Sequence, residues 1–408
     1  MNRPNIRFKN DNGTEYPLYS LASFSEVLSI ERGSSPRPIQ KYLTNDADGL
    51  NWIKIGDAPV NGTRITAVKE KIKKSGLSKT RFVKKGDLIL SNSMSFGRPY
   101  LLAVDGCIHD GWLLIRNSHN KFIVEFLLYL LSSPNILRQY KSLAGAGVVT
   151  NLNKELVSKV ILAIPSLEEQ QKIASFFSTL DQKIELNERK LEALEKLKKE
   201  LMHQIFNRKI RFKEKDGTEF PEWASSTLGD EVQFAKGGKL GKKDLRENGA
   251  FPCLLYGELY TFYKCIASTI ISRTNISSDN RSKKNDVVIP TSGETAEDIA
   301  TATCIPHDGV LYGGDLLILR SKSLYGPFLS YLINSSLKRK ISRLAQGKSV
   351  VHIGADKIKT IEFQFPCTKE QQKIANFLSS FDQKIDVIEK RIEAMRKLRF
   401  GFMQQMFV

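Results

Sequence analysis

Residues 164–185 read IPSLEEQQKIASFFSTLDQKIE, and residues 365–386 read FPCTKEQQKIANFLSSFDQKID. Thirteen of these 22 positions are identical. A second pair, RFKNDNGTEYP at 7–17 and RFKEKDGTEFP at 211–221, agrees at seven of 11. Copies so far apart are not a solenoid, whose period is roughly 20 to 50 residues. They describe one unit written twice, each copy a domain followed by a long helix. Two similar but unequal halves suit a target that also has two unequal halves.

The helices are marked by periodicity. From Ile173, steps of four and three land on Phe177, Leu180, Ile184, Asn187, Leu191, Leu194, Lys198, Leu201 and Ile205. From Ile374 they land on Leu378, Phe381, Ile385, Ile388, Ile392, Met395, Arg399, Phe402 and Met406. Eight of ten and nine of ten are apolar, and a 3.5-residue period of this length specifies a coiled-coil seam. Lys198 and Arg399 interrupt the seams at the same repeat position, and Asn187 stands where the other copy has Ile388. A helix of this span is about 50 Å long at 1.5 Å per residue. The expected partner for either seam is the other copy in the same chain, laid antiparallel, the alternative being a helix of another subunit.

The 408 residues carry 62 Lys and Arg against 44 Asp and Glu, a net charge of +18. Such an excess favours polyanions whatever the fold. No run approaches the 18 apolar residues of a membrane span, and the opening MNRPNIRFKN is polar. The expected setting is cytoplasmic, with nucleic acid rather than membrane as partner. Five cysteines at scattered spacing fit reduced, buried thiols, and the Cys304–His307 spacing has no second pair to complete a metal site.

Residues 18–165 read as a mixed, strand-rich domain. Asn51–Ile55, Asp87–Ser91 and Trp112–Arg116 are short apolar runs bounded by turn residues, and a helix is expected over Ile123–Leu131. The second half repeats the plan with strands at Leu254–Tyr256, Asp286–Ile289 and Leu316–Arg320 and a helix over Pro327–Ile333. KKGDLIL at 84–90 echoes KKNDVVI at 283–289, and His109-Asp110-Gly111 echoes His307-Asp308-Gly309. Between the echoes the halves diverge, as loops that read different things would. The expected class is α+β: two strand-rich domains related by a pseudo-two-fold repeat and separated by a long antiparallel two-helix coiled coil. The expected boundaries are 1–165 for the first domain, 166–210 for the central helix, 211–366 for the second domain and 367–408 for the C-terminal helix.

This order, with the paired segments Pro165–Ala174 and Pro366–Ala375, resembles the specificity subunit of type I restriction–modification enzymes. Leu180-Asp181-Gln182-Lys183-Ile184 and Phe381-Asp382-Gln383-Lys384-Ile385 carry the same resemblance. It implies two target-recognition domains, each reading one half of a split, asymmetric site in double-stranded DNA. It also implies that the helices set the spacer and dock two methyltransferase subunits that modify adenine. Restriction subunits would join through that complex. No cofactor is expected on this chain, S-adenosylmethionine belonging to the methyltransferase.

Phosphate contacts give affinity without sequence information, whereas base edges in the grooves give specificity. Lys69, Lys71, Lys73, Lys74, Lys79, Arg81, Lys84 and Lys85 crowd 17 positions opposed only by Glu70. Lys236, Lys239, Lys242, Lys243 and Arg246 form the second cluster, and Lys338, Arg339, Lys340 and Arg343 load a helix end. Base readers should be polar side chains on loops where glycine lets the backbone approach. Ser91, Asn92, Ser93, Ser95 and Arg98 fit this, with Thr291, Ser292 and Gly293 as positional counterparts. The loops Arg32–Gln40 (with Arg32, Ser34 and Arg37) and Lys236–Lys243 also correspond, as do Lys54 with Ile55-Gly56-Asp57 and Tyr256-Gly257-Glu258. Gly145–Asn151 and Gln346–His352 are a last pair, in which Lys348 offers a phosphate contact. A nucleotide-binding loop would need glycine at Ser342, so that reading fails.

An enzyme is the competing reading. The chain has no Asn/Asp-Pro-Pro-aromatic motif, no glycine-rich strand–turn–helix suited to S-adenosylmethionine, and no nuclease carboxylate grouping. A bare coiled-coil scaffold would not account for the charge.

Overall fold

The computed structural model describes residues 3–60, 62–92, 97–144, 152–347 and 351–408. The chain divides into two compact units, Met1–Glu188 with Arg391–Val408, and Arg189–Lys390. Ser93, Ser95, Lys348 and the Gly145–Asn151 segment lie outside the described residues.

In the first unit, Ser29–Arg32, Trp112–Arg116, Leu88–Ser91, Pro99–Leu102 and Arg64–Ile65 form a five-stranded sheet in that order. Alternation along the strands decides its two faces. Leu88, Leu90, Leu113 and Ile115 pack against helix Val124–Leu131 and the long helices. Ile89, Tyr100, Trp112 and Leu114 turn to a second sheet and meet Ile53, Val83 and Ile108. That second sheet runs Leu43–Thr44, Lys71–Ile72, Leu50–Ile53, Gly106–Ile108, Arg81–Val83. With both faces covered, the central strands read as continuous apolar runs.

The second unit repeats this topology. Gln233–Lys236, Leu316–Arg320, Asp286–Pro290 and Thr303–Ile305 form its main sheet. Phe251–Leu254 pairs in parallel with Leu311–Tyr312, as Leu50–Ile53 does with Gly106–Ile108. Val287, Ile289, Leu317 and Leu319 face the helices, and Val288, Leu316 and Ile318 face Leu254 and Tyr312. The 84–90 and 283–289 echo is one turn built twice. Asp87 and Asp286 accept from the backbone N–H of Lys84 and Lys283, both at 2.9 Å, and pair with Arg116 and Arg320.

The other echo does not hold. His109-Asp110-Gly111 follows strand Gly106–Ile108, whereas His307-Asp308-Gly309 precedes the equivalent strand Leu311–Tyr312. The counterpart of His109 is Gly313: a Cβ on Gly33 would lie 2.1 Å from His109 O, and one on Gly237 2.2 Å from Gly313 O. Several bounds also shift. The strand expected at Leu254–Tyr256 is Phe251–Leu254, because Leu255 N–H turns to cap on Glu258. Pro134 ends one helix and opens another, Pro134–Ala144, at a position where its missing N–H costs nothing. The helix after Tyr325 runs Gly326–Leu332 and continues through a π turn, Ile333–Leu337, into Lys338–Leu344.

The long helices are Leu167–Phe206 and Thr368–Met406. In the first unit Asp181 pairs with Arg399 at 2.6 Å, Glu188 with Arg396 at 2.5 Å, and Phe176 stacks edge-on to Phe402. Partner numbers fall as helix numbers rise, so the pair is antiparallel. In the second unit Lys198 pairs with Asp382, and Ile205 and Phe206 join a core with Ile374 and Leu378. The two residues that break the seams are therefore both paired. Each pair also takes a tyrosine from the domain: Tyr129 Oη donates to Asp181 at 3.0 Å and Tyr331 Oη donates to Asp382. Burial and the neighbouring carboxylate push both phenols well above their ordinary range, so both remain donors. Asn187 donates back to Lys183 O at 2.7 Å, which satisfies a polar group in the seam.

The repeated segments join each domain to its helices. Glu169 and Glu370 are fully buried and accept from Arg7 at 2.6 Å and Arg211 at 3.0 Å, the arginines of the second repeat. Gln170 accepts from Ile123 N–H at 2.9 Å, and Gln371 from Tyr325 N–H at 2.7 Å, each at the start of a domain helix. Lys172 and Lys373 reach the carbonyls of Lys9 and Lys213. Breaking a buried pair by removing one partner costs about 3–5 kcal/mol. Arg7 is 7% exposed and Arg211 21%. Glu169→Ala should therefore destabilise its unit more than Glu370→Ala does, by comparing hydrogen exchange of each unit across a urea series.

Candidate nucleic-acid interface

One edge of the first unit gathers the loop after strand Ser29–Arg32, the turn at His109–Gly111 and the short 3-10 helix Lys74–Lys79. Gly33 N–H donates to Trp112 O at 2.9 Å and Ser34 Oγ to Lys79 O at 3.0 Å, so the loop is tied on both sides. Its far end, Tyr42, accepts from Lys79 Nζ at 2.7 Å, and its carbonyl from Lys73 N–H at 2.8 Å. Arg32, Ser34, Arg37, Lys41, Lys73, Lys74 and Lys79 are all exposed here. Asp110 is the common partner. It accepts from Ser35 Oγ at 2.9 Å, lies 3.5 Å from Arg37, and its carbonyl takes Arg32 Nε at 3.3 Å and Asn92 Nδ2 at 2.8 Å. Burial opposes its charge, but the Ser35 hydroxyl, its own amide and Arg32 hold Asp110 below the ordinary carboxylate range.

The described candidates sort by what their polar atoms already touch. Ser91 is buried and binds the backbone of Arg98, and Asn92 is buried on Asp110 O. Both hold the sheet end together rather than face outward. The Arg98 guanidinium donates to the carbonyls of Val60 at 2.6 Å and Gly62 at 3.1 Å and lies over Tyr100. Lys54 pairs with Glu70, and Lys74 with Asp48 at 3.0 Å. Lys73 has no side-chain partner among the described residues.

In the second unit Gly237 and Gly238 make the same close approach, donating to Leu316 O at 2.8 Å and Tyr312 O at 3.1 Å. Lys239, Lys242 and Lys243 project from this loop and are exposed. Glu258 is buried, accepting from Leu255 N–H at 2.7 Å and from Ser272. Its counterpart Asp57 caps Lys54 N–H at 2.8 Å, so this matched pair is a turn device and not a pair of exchanged readers. Tyr256 is half-buried beside Tyr260. Thr291 N–H donates to Asp315 O at 2.8 Å, Ser292 Oγ sits 3.0 Å from His352, and Ser292–Gly293 pairs with Val351–His352. A Cβ on Gly293 would lie 2.9 Å from Ile299, so glycine serves packing there. The structure thus brings Ser292–Gly293 and Val351–His352 together. The loops 32–42 and 236–243 keep their basic side chains exposed.

Sequence reasoning did not single out Asp110, Lys41 or Tyr42 for this edge. The contacts of Asp110 come from residues 18 to 78 positions away, which no spacing rule reaches.

The family described as "Type I restriction modification DNA specificity domain" matches residues 20–196 and again 221–396. The chain belongs to that family. It is accordingly a DNA-specificity subunit, a recognition component and not a catalytic one, of a kind that binds DNA and assembles with methyltransferase and restriction subunits. It is 26% identical over 339 residues to the type I restriction enzyme MjaVIII specificity subunit of Methanocaldococcus jannaschii, covering 79% of this chain and 78% of that one. It is 30% identical over 199 residues to the HindI specificity subunit of Haemophilus influenzae, covering 47% of this chain and 41% of that one. The fold matches a type I system S subunit from M. genitalium with a TM-score of 0.60 at 15% identity, covering 99% of each. Among the described residues no helix is long and apolar enough to cross a membrane, and no group of three or more ligand-type side chains could hold a metal ion.

Two outcomes follow for this edge. Replacing Lys73 with alanine should weaken binding alike on all duplexes and flatten the log–log salt dependence by about 0.9. Lys74→Ala should do less, because Asp48 already offsets that charge. Salt titrations of affinity on unrelated duplexes separate the two. The second concerns His109, whose ring burial lowers its pKa while it accepts from Ile55 N–H at 3.0 Å. The unfolded chain takes that proton near pH 6.5 and the folded one resists it. Stability is therefore fullest above that pH and falls below it. Urea midpoints of the first unit should drop between pH 7.5 and 5.5, and less so in His109→Gln.

Proposed function

We propose that this subunit reads a split, asymmetric site in double-stranded DNA, one half by each recognition domain. The observation that carries this is the pair of equivalent edges with different chemistry. Loop 32–42 meets His109 and Asp110, whereas loop 236–243 meets Gly313 and Gly314. One topology bearing two sets of side chains is what two unequal half-sites require.

Two methyltransferase subunits dock on the long helices in this reading, and the restriction subunit joins through them in the cytoplasm. Leu186, Leu398 and Phe400 are half or more exposed in the first unit, as is Val387 in the second, with Leu197 close to half. Large apolar side chains left facing water on a helix pair support a protein partner there. The helices hold the two readings at a fixed spacer. The methyltransferase supplies S-adenosylmethionine and transfers a methyl group to adenine, with the target base turned out of the duplex.

Purified alone, the chain should bind duplex DNA and transfer no methyl group. With its methyltransferase it should mark adenines at one bipartite sequence, read by methylome sequencing. Methyl transfer by the chain alone, or marks at a continuous palindrome, would overturn the reading.

A further inference from the structure

We infer that Arg37 is a base-reading residue of the first recognition domain, and that the base it reads is guanine. The inference rests on the proposed function and assigns one contact within it. Guanine offers two acceptors, O6 and N7, on its major-groove edge, and a planar guanidinium meets both at once. Such a contact needs an arginine whose fork is exposed, whose donors are unspent, and whose orientation is set in advance.

The arginines on or near these two edges differ in these respects. Arg98 spends its fork on Val60 O and Gly62 O, Arg246 on Lys243 O and Leu245 O, and Arg273 on Gly249 O and Ala250 O. Arg32 is turned back on Asp110 O through Nε. Arg37 is 83% exposed, and its one partner among the described residues is Asp110, 3.5 Å from Nη2. Asp110 is itself fixed by Ser35 Oγ at 2.9 Å. That fixed carboxylate attracts one side of the fork without taking a hydrogen bond from it, so the guanidinium donors stay available. Lys73 and Lys79 flank the same loop through Tyr42, where they can hold phosphates on either side.

The second unit has Gly314 where the first has Asp110, so no such restrained arginine stands at its edge. Guanine reading through this device is confined to one half-site.

Arg37→Lys separates base from phosphate. A lysine keeps a phosphate contact as a point charge but cannot make the bidentate fork. The full-length chain and Arg37→Lys would each be used to select from a duplex library of random sequence, with binding then measured on the selected site. The expected result is a guanine in one half that the wild type requires by about tenfold to a hundredfold and the variant accepts in any form. The other half should stay unchanged, and Asp110→Asn should relax the same position to a lesser degree. If Arg37→Lys selects the wild-type site with undiminished preference, Arg37 touches phosphate and the inference is wrong while the proposed function stands. A selected site with no G·C pair in either half also overturns it. If the wild type selects no sequence, the proposed function itself fails.

Discussion

Two adjacent polar residues, buried at the start of each long helix, constrain everything else. A carboxylate out of water is tolerated only beside a cation, and an amide only with its hydrogen bonds made. Glu169 therefore demands Arg7, and Gln170 demands the N–H of Ile123 and the carbonyls of Lys121 and Pro165. Glu370 and Gln371 make the same demands on Arg211, Tyr325, Ser323 and Pro366. Each helix start thus fixes the repeated segment ahead of the domain, 7–17 or 211–221, on one side and the recognition domain on the other. This is why the two copies agree most closely in these segments, where few other side chains would satisfy the geometry. The loops 32–42 and 236–243 hold no such buried charge and can differ.

The interrupted seams follow from the same economy of polar groups. Arg399 and Lys198 would be liabilities in an apolar stripe. Each instead meets an aspartate of the opposite helix and the ring of a domain tyrosine, Arg399 at 5.9 Å from Tyr129 and Lys198 at 5.3 Å from Tyr331. A polar layer of this kind specifies orientation and register, since any other pairing would strand a charge. It also makes the domain a participant in the helix pairing rather than an appendage to it.

Much of this was legible in the sequence wherever the signal is local. The strands Trp112–Arg116 and Leu316–Arg320 fall where their apolar runs lie, and the seams fall where a 3.5-residue period places them. The α+β class and the family resemblance both stand. Strands of two residues, such as Leu43–Thr44 and Lys71–Ile72, carry no period and were not foreseen. The site was harder to read. Ser91, Asn92, Ser292 and Glu258 look like outward-facing polar residues in sequence, yet each is buried on backbone or side-chain groups brought from elsewhere in the fold. Only the fold distinguishes a spent donor from an available one. The loops carrying Arg37 and Lys239 to Lys243 correspond in sequence because each is entered through a basic residue and glycine, and both glycines make the close backbone approach that pairing suggests.

Met403, Met406 and Phe407 complete the apolar core that Phe24, Phe126 and Phe177 begin. The first unit is therefore discontinuous, while the second lies wholly within residues 189–390. During synthesis the residues of the second unit have all emerged before those of the first have. The later unit can close as soon as its own residues emerge, but the earlier one must wait for residues 391–408. At about 5–20 residues per second, that wait is roughly 10–40 s. Throughout it the part of the first helix that belongs to the first unit lacks the apolar side chains of residues 391–408, and the same residues of a second chain made nearby could supply them instead. Assembly of the correct subunit is thus a kinetic contest, won when the chain's own last helix arrives first.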